Sequence, residues 1–389
     1  MKRLLFSVLL LFSMNLFAAK IIIPTNKHQI NFWKGGFPVT AQPGDTIEIQ
    51  GTLRTKEMAF YNISGTALNP VVITCQNAGL ELRTNYPYSM KFGNCHYIKL
   101  EGKNKKFRVN GSGRGIGVTL EERTDNTEIT GFEIYNTGFT GIMAKSDPYG
   151  PRLVNGVMDQ GVRRNNHVLE NININNCYIH DTGEGEGMYL GYTFPNKKIK
   201  IGNDSVVVQT QAARNIRVTN NILENTGSDG IQVSQCNEDL FVAYNTILDY
   251  GKNPFKPFQN SGIALGNDNL GVVKYNFVRA NSTYGGNCVS IIGSENVELT
   301  NNTFIHKAGF AIYADEQNNA RIIPGDGINI YKNTFISIAG TSVESIQLRT
   351  NRITNNIFDN YFLNNSGVYI YNYQNACTIL DVRNIKRSS

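Results

Sequence analysis

The chain has 389 residues and a formal net charge of +6, from 37 Lys and Arg against 31 Asp and Glu. Its basic residues are scattered, which argues against a nucleic-acid-binding surface, because such a surface needs clustered positive charge. After residue 17 no stretch is apolar enough to predict a membrane span.

The first residues predict an export signal. Lys2 and Arg3 precede the apolar run from Leu4 to Phe17, and Ala18 and Ala19 offer a small-residue cleavage point. We therefore expect cleavage after Ala18 and secretion of residues 19–389 into the periplasm or the extracellular space.

An Asn followed two residues later by a large apolar residue recurs along the chain. From Asn221 onward this Asn returns every 23 to 31 residues. Asn176 precedes Asn221 by about two periods, which indicates an inserted segment. The repeat predicts a ladder of Asn221, Asn245, Asn276, Asn302, Asn333 and Asn356.

A second motif in each unit is a Gly that opens a short strand. The first and third residues after the Gly are apolar, which is the period of a strand with one buried face. The motif is found at Gly141-Ile142-Met143-Ala144, Gly187-Met188-Tyr189-Leu190, Gly230-Ile231-Gln232-Val233, Gly262-Ile263-Ala264-Leu265, Gly309-Phe310-Ala311-Ile312 and Gly367-Val368-Tyr369-Ile370.

Short strands that repeat at one coil length can bury their apolar face only by stacking. Parallel stacking would place each Asn above the next at about 4.8 Å, so that the amides hydrogen-bond along the axis. We therefore predict an all-β, right-handed parallel β-helix of about ten coils as a single domain. Residues 19–42, which include the only Trp, Trp33, would cap one end and residues 371–389 the other.

The six cysteines show no metal-ligand spacing. Export would permit disulfides, but solenoid cores often hold Cys as a small apolar residue. We favour the core interpretation for Cys75, Cys95, Cys177, Cys236, Cys288 and Cys377.

The entry segment Pro43-Gly44-Asp45-Thr46-Ile47-Glu48-Ile49, followed by Asn69-Pro70-Val71-Val72-Ile73, resembles the first coils of secreted carbohydrate-active β-helix proteins of the pectate lyase-like type. The resemblance spans roughly Pro43 to Arg383. It implies a polysaccharide or oligosaccharide ligand and specifies no reaction.

Motifs of individual families in this group are incomplete. Polygalacturonases of this fold carry a Gly-His-Gly element, which this chain lacks. Mannuronan epimerases of this fold carry Asp-Pro-His-Asp, and the most similar segment of this chain is Asp147-Pro148-Tyr149-Gly150. The β-helix lyases use a Lys and an Arg beside Ca²⁺. The basic candidates for such a role are Lys145, Arg163, Arg164 and Lys274.

Three insertions break the coil period, at 146–165, 192–213 and 251–260. The first two leave the coil after equivalent strands, and the third arrives just before the next equivalent strand. We expect all three to rise beside one face, where long loops on a rigid scaffold commonly carry binding function.

A pair of carboxylates is predicted on that face. Counting back from the strand Gly, Glu186 aligns with Asp229 on the next coil, and Tyr189 aligns with Gln232. Two carboxylates about 5 Å apart cannot both ionise cheaply, so the pKa of one rises and that group can act as a general acid.

The predicted catalytic residues are therefore Glu186 and Asp229, with His180, which aligns near Glu224 or Asn225, as a further proton carrier. Alternatively, Glu184, Glu186 and Asp229 bind Ca²⁺, which prefers several oxygen ligands. The predicted substrate-binding residues are Glu184, Tyr189 and Gln232 on the coils and Tyr192, Phe194, Phe255 and Phe258 on the loops.

The leading hypothesis is a secreted enzyme that cleaves an extracellular polysaccharide, by hydrolysis as a glycoside hydrolase or by elimination as a polysaccharide lyase. The alternative is a non-catalytic glycan-binding or adhesion solenoid. No cofactor other than Ca²⁺ is indicated, and the sequence does not predict the sugar, the linkage or the oligomeric state.

Overall fold

Three parallel sheets wind around one core in the computed structural model, which describes residues 18–154, 157–281, 283–294, 296–315, 327–338, 344–350, 354–363, 369–373 and 377–387. The predicted all-β parallel β-helix is confirmed, with about twelve coils rather than about ten. Residues 1–17, with most of the predicted export signal, lie outside the described residues.

Each coil runs through the three sheets in a constant order, and the sheets are numbered first, second and third in that order. The first sheet has 13 described strands: Lys20–Ile23, Thr46–Ile49, Val71–Cys75, His96–Glu101, Asp125–Thr130, Val168–Asn175, Ala212–Thr219, Leu240–Ala243, Gly271–Lys274, Val297–Thr300, Asn329–Tyr331, Thr354–Phe358 and Thr378–Val382.

The second sheet follows in each coil and has 12 described strands: Leu53–Arg54, Leu80–Arg83, Phe107–Arg114, Glu133–Thr137, Tyr178–His180, Ile222–Glu224, Thr246–Leu248, Phe277–Arg279, Thr303–His306, Thr334–Ser337, Tyr361–Leu363 and Ile385–Arg387.

The third sheet closes the coil, also with 12 described strands: Gln29–Ile30, Met58–Tyr61, Tyr88–Gly93, Ile116–Glu121, Ile142–Ala144, Met188–Leu190, Ile231–Val233, Ile263–Leu265, Val289–Ile292, Ile312–Asp315, Ile346–Arg349 and Ile370–Asn372. The segment predicted as the N-terminal cap thus already supplies Lys20–Ile23 and Gln29–Ile30 to the first coil, and Trp33 beside them is 60% exposed.

Alternate residues of these strands point inward and form one continuous apolar core, as period-two patterning requires. Phe304, Phe335 and Phe362 stack on successive coils, with ring centroids 5.5 Å and 4.7 Å apart. Five of the six cysteines are buried in this core, and Cys377 packs half-buried against it.

The asparagine ladder lies at the corner between the first and second sheets. From Asn245 onward, each Oδ1 accepts the backbone N–H and the Nδ2 of the preceding ladder Asn, with Nδ2–Oδ1 distances of 3.0 to 3.2 Å. The buried corner is thereby satisfied without water. Its members are Asn221, Asn245, Asn276, Asn302, Asn333, Asn360 and Asn384.

The prediction of Asn356 as the sixth ladder residue is wrong. Asn356 lies within a strand of the first sheet and donates to Oδ1 of Asn329 at 2.7 Å. In each coil of the ladder, the residue before the ladder Asn has left-handed backbone. In this coil that residue is Asp359, with a φ of 55°, so Asn360 is the ladder residue.

The strand glycines also show one slip in register. Ile312 pairs with Val289, as Val289 does with Ile263, so Ala311 and not Gly309 occupies the position equivalent to Gly262. The last predicted copy, at Gly367 and Val368, lies outside the described residues.

Two of the three insertions contain antiparallel hairpins. The first pairs Arg152–Val154 with Val157–Asp159, and the second pairs Asn196–Ile201 with Asp204–Gln209. In the described part of the chain, no helix is long and apolar enough to cross a membrane.

A candidate active site on the third sheet

The predicted alignment of Glu186 with Asp229 is confirmed by the backbone hydrogen bonds at the start of the third sheet. The Gly141 N–H donates to the carbonyl of Glu186 at 3.0 Å, and the Gly187 N–H donates to the carbonyl of Asp229 at 2.9 Å. The two acids therefore occupy equivalent positions one coil apart, about 4.8 Å along the axis. Tyr189 and Gln232 are also partners in register, as predicted.

Both carboxyl groups are buried, each in a residue that is only 2% exposed. Asp229 Oδ1 accepts the Ser261 backbone N–H at 2.6 Å. Glu186 Oε2 accepts the Thr140 hydroxyl at 2.9 Å, and its Oε1 accepts Nε2 of Gln259 at 3.4 Å. Neither acid forms an ion pair within the described part of the chain.

This environment favours the protonated acids. Burial, and then the nearby charge of Glu186, raises the pKa of Asp229 well above its usual range. Burial also raises the pKa of Glu186, although the Thr140 hydrogen bond opposes the rise. Burial thus favours the neutral, proton-carrying form of the Asp229 carboxyl group over its charged form.

Asp229 lies in the wall of a cavity of about 430 Å³ on the outer face of the third sheet. Small residues form part of its floor on two successive coils, at Ala264, Gly266 and Ser290. Taller side chains surround this depression. The complete lining is Thr193, Asp229, Gln232, Ser234, Phe258, Gln259, Asn260, Ser261, Ala264, Leu265, Gly266, Asn267, Asn287, Ser290, Ile292, Tyr313 and Asp315.

Within the part of the chain that the structure describes, three polar atoms of this lining are buried without a hydrogen-bond partner: Oε1 of Gln232, Oγ of Ser234 and Oε1 of Gln259. Buried polar groups in native proteins are normally hydrogen-bonded, and each unpaired one costs about 1–3 kcal/mol. The wall of this cavity therefore contains unpaired polar groups just beneath its surface.

The described lining contains acidic residues but no basic ones. Asp229 and Asp315 contribute carboxyl groups, and no Lys, Arg or His is among the lining residues that the structure describes. Arg349, the register partner of Asp315, holds its guanidinium over Tyr313 and Tyr373, at 5.6 Å and 4.3 Å from their ring centroids. The cavity therefore disfavours an anionic ligand.

The basic residues considered for a lyase mechanism are engaged elsewhere. The Lys145 ammonium lies over Tyr189 and Tyr192, 5.0 Å and 5.1 Å from their ring centroids. Arg164 pairs with Asp268 at 2.9 Å. Lys274 lies over Phe241 of the first sheet, and Arg163 lines a separate small cavity with Arg164.

The inserted loops contribute unequally to the cavity. Loop 251–260 supplies Phe258, Gln259 and Asn260, and the second insertion supplies Thr193. The described residues of the first insertion supply none. The expectation that all three insertions flank the site is thus met by two of them.

Several predicted substrate-binding residues lie in or directly behind the cavity wall. Gln232 and Phe258 line it, and Phe258 is 78% exposed. Gln232 Nε2 donates to Oγ1 of Thr193 at 2.8 Å, and that hydroxyl also bonds Tyr189 at 2.5 Å. Tyr189 therefore supports the wall from behind.

The other loop aromatics do not line this cavity. Tyr192 is only 9% exposed and packs beneath Lys145 and Lys197. Phe194 is 62% exposed. Phe255 packs edge-on against Phe139, with ring centroids 5.8 Å apart.

His180 does not join the acid pair. It pairs in register with Glu224, as predicted, but on the outer face of the second sheet. Its Nδ1 lies 2.7 Å from Asp181 Oδ2 and its Nε2 lies 3.4 Å from Glu133 Oε1, while its ring stacks on Tyr178. A turn separates His180 from the third sheet, so the structure does not bring His180 together with Glu186 and Asp229.

The predicted Ca²⁺ site is not formed. In the described ranges, no three His, Cys, Asp or Glu side chains are arranged to hold a metal ion. Glu184 is exposed and lines a different cavity from Asp229. Glu184 and Glu186 are only two positions apart, but the turn that contains them directs their side chains to different surfaces.

The polar lining residues that the sequence did not identify include Gln259, Asn267, Tyr313 and Asp315. Gln259 and Asn267 come from loops, whose direction has no periodic signal. Tyr313 and Asp315 follow from the strand alignment once Ala311, rather than Gly309, is placed at the strand start.

No family model matches this chain, and no curated protein matches it in sequence. Among solved structures, the selenomethionine and native forms of the GH136 lacto-N-biosidase from Eubacterium ramulus match with TM-scores of 0.58 and 0.55, at 12% and 13% identity. These matches cover 90% and 95% of this chain, and 63% and 68% of the lacto-N-biosidase chain. The A-module of a mannuronan C-5 epimerase from Azotobacter vinelandii matches at 11% identity with a TM-score of 0.47, over 89% of this chain and 81% of that one.

At these identities the likeness establishes the fold. The chain is a β-solenoid similar to β-helix carbohydrate-active proteins, as its entry segment and repeats predicted.

Proposed function

We propose that this chain is a secreted glycoside hydrolase that cleaves a neutral glycan in the cavity beside Asp229. The observation that carries the proposal is a buried carboxyl group, with its pKa raised, in the wall of a cavity whose described lining contains unpaired polar atoms and no basic residue. The lacto-N-biosidase offers an example of a glycosidase with the same solenoid fold.

Asp229 is the proton donor in this proposal. Its Oδ1 is held by the Ser261 N–H, which leaves Oδ2 available to a substrate. The carboxylic acid gives its proton to the glycosidic oxygen, the bond from that oxygen to the anomeric carbon breaks, and the leaving sugar departs as an alcohol. A water then supplies the hydroxyl group to the anomeric carbon and returns one proton to the acid pair.

Glu186 acts with Asp229 as the second carboxyl group. Its charge contributes to the raised pKa of Asp229, and Gln259 connects it to the cavity lining. Shared protonation between two neighbouring acids keeps one of them neutral at the pH where the other is ionised.

Hydrolysis is favoured over elimination by the charge of the cavity. Elimination acts on uronates, whose carboxylate needs a cation to neutralise it. The Asp315 carboxylate would repel such a substrate, and Lys145, Arg164 and Lys274 are engaged outside the cavity.

The test is a panel of neutral and uronate-containing glycans, with new reducing ends and unsaturated uronates measured separately. We expect new reducing ends from a neutral glycan and a loss of about 10²–10⁴-fold in kcat for Asp229→Asn, the contribution typical of a general acid. The matched control is Asp239→Asn, because Asp239 is an exposed residue ten positions along the chain that pairs with Arg217.

Full turnover in both Asp229→Asn and Glu186→Gln would refute the acid-pair mechanism. Release of unsaturated uronates would replace hydrolysis by elimination. Binding of a glycan in the cavity without cleavage would make the chain a glycan-binding solenoid.

A further inference from the structure

A second cavity, also of about 430 Å³, lies where the chain turns from the second sheet to the third. It spans four successive coils, those of Tyr86, Gly115, Phe139 and Glu184, whose third-sheet strands are consecutive neighbours. Three coil steps extend about 14 Å along the axis. This length suits an extended chain lying parallel to the solenoid.

The lining of the second cavity contains bare backbone at positions where only glycine fits. A Cβ on Gly115 would lie 2.2 Å from the carbonyl oxygen of Tyr86, and a Cβ on Gly138 would lie 2.5 Å from Cα of Arg114. These glycines let the turns of neighbouring coils pack closely. Since they have no side chains, they also leave open space between the larger residues of the lining.

Aromatic rings border this depression. Tyr86 is 38% exposed, and Phe139 meets Phe255 edge-on at 5.8 Å. Exposed aromatic faces give broad apolar contact at small entropic cost, which suits the apolar faces of sugar rings. The rings therefore provide apolar contact area for a ligand that carries no charge.

Two charged side chains complete the lining. Arg114 and Glu184 are both exposed, and neither forms an ion pair with a described residue. The guanidinium can donate hydrogen bonds to the hydroxyl oxygens of a ligand, and the carboxylate can accept hydrogen bonds from its hydroxyl groups.

Loop 251–260 links this cavity to the one at Asp229. The Phe255 backbone N–H donates to the Glu184 carbonyl at 3.1 Å and to Ser228 Oγ at 3.0 Å, which fixes the loop across two coils. Three residues further on, Phe258 lines the catalytic cavity. One loop thus places an aromatic ring beside each cavity.

We propose that the second cavity is a distal subsite that binds further sugar units of the same neutral glycan chain cleaved beside Asp229. The inference rests on the proposed hydrolase function for the identity of its ligand. It assigns to Tyr86 and Arg114 a role in binding long substrates and none in the bond-breaking step.

The test compares Tyr86→Ala and Arg114→Ala with Tyr244→Ala, a control at another exposed tyrosine, on the corner between the first and second sheets. We expect the first two variants to raise KM for long oligosaccharides roughly three- to tenfold, as expected for one lost aromatic or polar contact. The kcat, and the KM for the shortest cleaved oligosaccharide, should not change.

Equal effects on short and long substrates, or no effect of either variant, would overturn the subsite. Affinity electrophoresis in gels containing soluble starch, laminarin or galactomannan, with Asp229→Asn as the parent protein, separates this inference from the proposed function. Retention that is lost on adding Tyr86→Ala supports the subsite even if the wild type cleaves nothing. Retention unaffected by both variants rejects it even if the wild type is an active hydrolase.

Discussion

Removal of one amide from the middle of the asparagine ladder should destabilise the whole solenoid. In Asn276→Ala, the backbone N–H of Asn245 loses its acceptor, now at 3.0 Å, and the carbonyl of Val242 loses a donor at 2.9 Å. A buried polar group that loses its partner costs about 1–3 kcal/mol, so the two together predict a loss of about 2–6 kcal/mol.

The same substitution at the end of the ladder provides the control. Asn384 accepts from Asn360 in the same geometry, at 2.8 Å and 3.0 Å, but Asn384 is only half-buried. Water can replace the lost bonds there, so Asn384→Ala should cost only about 1 kcal/mol.

The assay is guanidinium unfolding followed by circular dichroism, combined with hydrogen exchange at the Asn245 amide. We expect a lower denaturant midpoint and faster Asn245 exchange in Asn276→Ala than in Asn384→Ala. Equal midpoints for the two variants, with Asn245 protected as in the wild type, would refute the reasoning that the ladder stabilises the corner.

Three further outcomes are expected. Because the folded-state pKa of Asp229 is raised, the wild type should lose stability as pH rises from about 4 through that pKa, whereas Asp229→Asn should lose less; denaturant unfolding at pH 5 and pH 8 measures this difference. Ala264→Trp, in the cavity floor, should lower turnover about 10²-fold by displacing the substrate while thermal unfolding stays at the wild-type temperature, and retained turnover would contradict the cavity assignment. Gly227→Ala should lower the free energy of unfolding by about 1–3 kcal/mol, because its Cβ would lie 2.0 Å from the Gly183 carbonyl oxygen. An unchanged denaturant midpoint would show that the turn moves to accommodate the methyl group without strain.

The repeat alone was enough to predict the fold and the pairing of Glu186 with Asp229. Both depend on the same physical constraint, since a coil that buries alternate residues in a shared core has one register. The strand glycines at Gly187 and Gly230 mark that register directly in the sequence.

The failures occur where this constraint is weak. The left-handed corner is occupied by Tyr244, Lys332, Asp359 and Arg383 as well as by Asn. Doubled asparagines are therefore an unreliable marker of the corner, and the pair Asn355-Asn356 predicts the wrong ladder residue. His180 and Glu184 were misassigned because the turn between the second and third sheets changes which surface a side chain reaches.

The loop residues of the site could not be predicted for a related reason. Gln259 and Asn267 reach the cavity through irregular backbone, so their placement depends on packing contacts rather than on a repeating pattern. Tyr313 and Asp315 lie on a regular strand, but their position follows only from the register in which Ala311, and not Gly309, opens that strand.

The third-sheet columns have an evolutionary consequence. Because the cavity draws equivalent outward positions from each of several successive coils, its length is set by how many coils carry small residues there. Duplication or loss of a single coil would lengthen or shorten it by one step, about 4.8 Å, while the strand pairing on either side is preserved. Such a scaffold can change the size of the molecule it accommodates by unequal recombination within a gene, without evolving a new core.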